Sequence, residues 1–322
     1  MLDMIFIVAG LIGLVWSSDK FVDGAAAIAR WAGLSPLLIG LTIVSLGTSA
    51  PEIVISIIAS LSGSGELAVG NALGSNIANT GLVLGVTLII KSMAVEASAI
   101  RRELPQMMGA TLLAGALLAD GELSLLDGTV LLSALILFLF LLSKRGPGQE
   151  ATAVKVAASA GLAWLKFLGG LVLLVISSRV LVVGAVNVAT ALGVSELIVG
   201  LTIVAIGTSL PELAASVVSA VKGHADMAIG AILGSNIFNL LIVLPIPGLL
   251  GPLSLEANVY YRDWLYTAFT ASLLAFFMWQ AQRSAIRRQK ASGELSRFAG
   301  VVLLGTYITY LGILITAPDL TG

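Results

Sequence analysis

Glu52 and Glu212 are the residues best placed to do chemistry in this chain, because each is a carboxylate set inside a long apolar run. A carboxylate at membrane depth is costly to hold, and where one occurs it marks an ion or proton pathway. Each Glu closes a stretch that is nearly the same stretch. GLTIVSLGTSAPE spans 40–52 and GLTIVAIGTSLPE spans 200–212, identical at ten of thirteen positions. A second match follows at the same distance, LGSNIAN at 73–79 and LGSNIFN at 233–239, so the offset is 160 residues throughout.

On a helix Thr48, Glu52 and Ser56 are spaced by four and share one face, and Thr208, Glu212 and Ser216 repeat that stripe. Ser75 and Asn79 share a face of the following helix, as do Ser235 and Asn239. Pro51 and Pro211 have no N–H, so the carbonyls of Gly47 and Gly207 lose their helical partners. A broken helix inside a bilayer is tolerated only where it is buried in protein or lines a cavity. The freed carbonyls there can serve as oxygen ligands. The sum is an oxygen-only donor set, which suits a hard cation such as Ca²⁺ with its about 6–8 oxygen ligands.

Soft or imidazole-preferring metals would want Cys or His. The chain has no Cys and a single histidine, His224, so thiolate and multi-His sites, disulfides and cysteine nucleophiles are excluded. Two Glu carry a charge that one Ca²⁺ neutralises, and without a cation the pair is suited to take up a proton. Any one of the Ser, Thr or Gly residues alone reads more simply as helix packing. The joint pattern, appearing twice, points to a site. Asn71, Asn76 and Asn236 read as interhelical hydrogen-bonding residues rather than ligands.

The elements that must position these groups are membrane helices. Of 322 residues 58% are hydrophobic and 11% charged, against about 25% charged in a soluble protein. A net charge of −1 argues against a nucleic-acid partner, and no obligatory protein partner is evident. The first apolar run, Leu2–Ser17, lacks a basic leader and a clear cleavage site and reads as a retained helix. A span needs about 20 apolar residues. Ten runs approach that length, at roughly 2–18, 36–60, 67–90, 104–119, 125–142, 162–183, 196–221, 227–249, 264–281 and 297–317.

The polar stretch 144–160 is the one convincing linker, and it separates a first five-helix half, 1–143, from a second, 161–322. Of the 17 Lys and Arg residues, only Arg179 and Arg262 fall on one side of this arrangement. The crowded side, linker included, is expected to be cytoplasmic. The expectation is an all-α membrane protein of ten transmembrane helices, N-out and C-out, in the cell inner membrane. Five is odd, so the second half enters from the opposite face. The halves are then inverted-topology repeats, as in secondary transporters whose sites lie near the midplane. Weaker matches upstream, such as Gly10/Gly170, Ser18/Ser178 and Gly24/Gly184, keep the same offset.

At GTSAPE with GSNIAN and at GTSLPE with GSNIFN the sequence resembles the Ca²⁺/cation antiporter superfamily and, within it, the prokaryotic sodium/calcium exchangers. That resemblance covers the whole chain and implies exchange of Ca²⁺ against Na⁺, with these ions as cargo and no cofactor. It implies that Glu52 and Glu212 ligate Ca²⁺ and help bind Na⁺. Thr48, Ser49, Ser75, Thr208, Ser209 and Ser235 match the family's hydroxyl or carbonyl ligands, and the carbonyls of Ser45 and Ala205 its backbone sodium ligands. Asn79 matches the amide of the first repeat. Asn239 departs, standing where several relatives carry Asp, which makes potassium dependence less expected. The resemblance further implies that the first and sixth helices slide across the others. A proton-coupled Ca²⁺ exchanger is the alternative. A cation channel fits less well, because one chain supplies two antiparallel half-sites. An intramembrane enzyme is not expected, since neither HExxH nor GxSxG occurs.

Overall fold

The computed structural model describes residues 2–144, 160–192, 205–290 and 292–316, so the linker expected at 144–160 and residues 200–204 of the second motif lie almost wholly outside it. Apolar runs become helices because a bilayer offers no partner for a backbone N–H or C=O. Helix α1 runs Leu2–Ala32 and turns at Gly33, whose φ of +67° suits glycine. Ser35 caps the next helix by accepting from Leu38 N–H at 3.2 Å. That helix, α2, covers Pro36–Thr48 and is followed by α3, Ala50–Leu61, with a bend of 42° between them. Then come α4, Gly65–Ile90, strand β1, Met93–Val95, and α5, Leu104–Leu118. Strand β2, Glu122–Leu123, leads into α6, Leu125–Ser143, begun by a reciprocal cap between Ser124 and Asp127.

The second half repeats this order. It holds α7, Ala160–Ala191, α8, Ala205–Thr208, and α9, Leu210–Val221. Next are α10, Ala225–Leu250, and β3, Leu253–Ser254. The half ends with α11, Leu265–Arg287, β4, Gly293–Leu295, and α12, Arg297–Thr316. Strands β1 and β4 pair antiparallel, as do β2 and β3, so each ribbon joins one half of the sequence to the other.

Among the described residues six helices (α1, α4, α6, α7, α10 and α12) are long and apolar enough to cross a membrane, and the bent α2–α3 pair makes a seventh. Of the other expected spans, α5 has only 15 residues and the seventh is described only from Ala205 on. The ninth, α11, has 23 residues but ends in the polar run QAQRSAIR. The first and sixth helices are longer than expected, reaching Ala32 and Ala191 rather than 18 and 183. Asp19 and Asp23 do not end α1, because Lys222 approaches them at 2.6 and 2.5 Å and pairs both.

Burial sets the order of the layers. The apolar window of α10 is 94% buried and that of α4 72%, against 33% for α1 and 17% for α7. The two helices that carry the GSNI motifs are therefore central. Helices α1 and α7 lie outside and pack chiefly on each other. Glycines allow the close approach: a Cβ at Gly24 would strike the Phe167 backbone, and one at Gly170 would lie 2.8 Å from Phe21 Cα. Phe21 and Phe167 stack with centroids 4.8 Å apart.

Candidate functional site

The two breaks are built by the same residues. Ser49 (φ −80°, ψ 2°) separates α2 from α3, and Ser209 (φ −89°, ψ 2°) precedes α9. Pro51 and Pro211 sit in the first turn, where the missing N–H costs nothing. Glu52 and Glu212 follow in that same turn, where the helix N-terminus favours negative charge. Both are buried, at 1% and 5% exposure.

The carboxylates belong to one space. Thr48 and Ser49, from the first half, face Glu212 of the second, and the charge of Glu52 acts directly on Glu212. Asn71 on α4 donates to the Glu52 carbonyl at 3.1 Å and to Ser56 Oγ at 3.1 Å, fixing α3 against α4. Asn76 donates to the Asn236 carbonyl at 3.2 Å, and Asn236 donates to Thr80 Oγ1 at 2.9 Å. These three asparagines act between helices, as their surroundings in sequence suggest.

Ser45, Thr48, Ser49, Ser75, Asn79, Ser209, Ser235 and Asn239 are all buried, and Thr208 is half-buried. Among the described residues, Ser49 Oγ, Glu52 Oε2, Ser209 Oγ, Glu212 Oε2, Ser235 Oγ and both side-chain polar atoms of Asn239 have no hydrogen-bond partner of acceptable geometry. Buried polar groups are normally satisfied, and each exception asks for an explanation. Most of the exceptions, Asn76 Oδ1 and Asn236 Oδ1 among them, fall on the four repeated motifs, while Ser60 Oγ and Gln282 Oε1 lie elsewhere, and all but the Asn239 amide nitrogen are oxygens. No cluster of three or more His, Cys, Asp or Glu that could hold a metal occurs among the described residues. Two carboxylates with neutral oxygens are a donor set of low charge, of the kind a hard cation can enter and leave.

Several features were not visible in sequence. Both GSNI helices widen to a π-helix at the same place, Asn79–Val83 and Asn239–Val243. Such turns recur at functional sites because they disturb the regular ladder of carbonyl partners. The carbonyl of Gly207, freed by Pro211, accepts from Ser178 Oγ of α7 at 2.9 Å. The Ser45 carbonyl accepts from Ser49 N–H at 2.9 Å and Thr48 Oγ1 at 3.3 Å, and Ser209 N–H donates to the Ile206 carbonyl at 3.0 Å. Arg179 lines a crevice with Pro51, Thr208 and Pro211, and its charge reaches Glu52. The crevice holds about 30 Å³, enough to admit water.

The family described as sodium/calcium exchanger protein matches residues 2–144 and 162–316. The inner membrane protein YrbG of Escherichia coli is 37% identical over 96% of this chain and 95% of its own. The sodium/calcium exchanger MaX1 of Methanosarcina acetivorans is 30% identical over 97% of this chain and 98% of its own. A structure of the sodium-calcium exchanger NCX_Mj, soaked with zero Na⁺ and Ca²⁺, superposes with a TM-score of 0.83 at 32% identity, covering 97% of this chain and 99% of that one. The chain therefore belongs to the sodium/calcium exchanger protein family, and it is a membrane antiporter rather than an enzyme.

Proposed function

We propose that the chain exchanges Ca²⁺ for Na⁺ by alternating access, both ions binding among Glu52, Glu212 and the hydroxyl and amide oxygens of the four motifs. The observation that carries this reading is the pair of buried carboxylates from opposite halves of the sequence, Glu212 neighbouring Thr48, Ser49 and Glu52, together with the buried, unpartnered oxygens on the repeated motifs. Thr48, Thr208, Ser49, Ser209, Ser75 and Ser235 supply neutral oxygens, Asn79 and Asn239 supply amides, and Ser45 and Ala205 supply carbonyls. The halves act as inverted repeats in ten spans, with the basic loops cytoplasmic and the inner membrane as location. Two cross-half ribbons, β1 with β4 and β2 with β3, support that pseudo-symmetry. Alternating access is supported by α1 and α7, which form an outer pair packed chiefly on itself.

Flux in proteoliposomes tests the exchange. Ca²⁺ uptake should follow an imposed Na⁺ gradient at constant pH. Uptake driven by a pH gradient alone would overturn the sodium assignment.

A further inference from the structure

The C-terminal end of α11 and the start of α12 line a cavity of about 530 Å³ to which no residue of the paired motifs contributes. Its walls differ in character. Phe276 and Trp279 form an aromatic side, each about half exposed. Arg283, Arg287 and Arg288 form a basic side, and Arg283 lies 4.3 Å over the Trp279 ring. The cavity continues into a second of about 430 Å³ that Lys290 also lines. Glu294 is the one acid in either wall. None of the four basic residues forms an ion pair among the described residues. Ser296 lines the cavity too and accepts from Ala299 N–H at 3.3 Å at the start of α12.

We propose that this cavity is a binding site for an anionic phospholipid, the arginines holding its phosphate and the aromatic wall its upper acyl chain. Four cations against one carboxylate leave the pocket positive, which selects an anion. Guanidinium groups hold phosphate oxygens in pairs. A free phosphate would use only the basic side. The aromatic side continues along α11, which the proposed ten-span arrangement sets in the membrane, and Trp beside Arg is the pairing found at headgroup depth. Basic pockets between membrane helices are recognised positions for anionic headgroups.

The full chain in nanodiscs tests this. Phosphatidylcholine discs carry a minor fraction of brominated phosphatidylglycerol or, in parallel, of brominated phosphatidylcholine, and tryptophan quenching is read. The anionic probe should quench more at equal fraction, and Trp279→Phe should remove that excess. Arg287→Gln with Arg288→Gln should weaken the preference about thirtyfold, the Boltzmann weight of two interfacial charges. Arg287→Lys with Arg288→Lys keeps the charge and should keep most of the preference, which separates lost binding from lost folding. Equal quenching by the two lipids would overturn the proposal. So would an excess that survives Trp279→Phe, or loss of the excess on adding inorganic phosphate at constant ionic strength, which would assign the site to the free anion.

Discussion

Ser178 on α7 donates its hydroxyl to the Gly207 carbonyl at 2.9 Å, the one set free by Pro211. Ser18, its counterpart 160 residues earlier, donates instead within its own helix, to Val15 at 2.9 Å. The outer pair α1–α7 is thus tied to one helix break and not in the same way to the other. Ser178→Ala should release that tie. Interhelical hydrogen bonds in membranes are worth about 0.6 kcal/mol on average and up to about 1.7, so only a small fall in melting temperature is expected. The exchange rate should change more than the stability. An unchanged rate with a lowered melting temperature would make the bond purely structural.

Glu52→Gln and Glu212→Gln each remove one charge and keep the side-chain shape. Ca²⁺ flux should fall by more than about tenfold in either variant, because divalent oxygen sites are tuned by ligand charge. Both proteins should remain monodisperse on size-exclusion chromatography, since a neutral amide is easier to bury than a carboxylate. Normal flux in either variant would remove these residues from the site.

Asn239 has neither side-chain polar atom satisfied. Asn239→Asp would add a third carboxylate to a buried two-carboxylate site. The apparent Na⁺ or proton dependence of exchange should shift by about tenfold, since a buried like charge moves an ionisation by a unit or more. Half-saturation for Ca²⁺ should move less. Ion-titration of flux checks this, and an unaltered profile would place Asn239 outside the ion path.

Gly234 lies where α10 meets α2, and a Cβ there would run into the Leu41 carbonyl and Ser45 Oγ. Gly234→Ala should therefore cost about 1–3 kcal/mol, the range for overpacking a tight contact. Gly109, around which nothing lies within 4 Å of an added Cβ, is the control. Gly109→Ala should leave the melting temperature unchanged or slightly higher, because alanine favours the helix by about 1 kcal/mol. Equal effects at the two positions would contradict the close packing of α10.

The sequence by itself determined which chemical groups are available and how they are spaced. The repeated Glu, hydroxyl and amide residues, their helical spacing and the two prolines follow from residue types and local geometry, and local geometry is legible in one dimension. The helix breaks fall where Pro51 and Pro211 require. Three things were decided only by tertiary structure. The length of α1 was hidden because Asp19, Lys20 and Asp23 read as a loop, and the lysine that pairs Asp23 lies 199 residues along the chain. The fate of the Gly207 carbonyl was hidden because Ser178, on another helix, takes it. The facing of Thr48 and Ser49 toward Glu212 was hidden because each half carries only half a site. Spacing within a helix is fixed by its 3.6-residue turn, but which helices meet is fixed by packing, and packing depends on the whole chain at once.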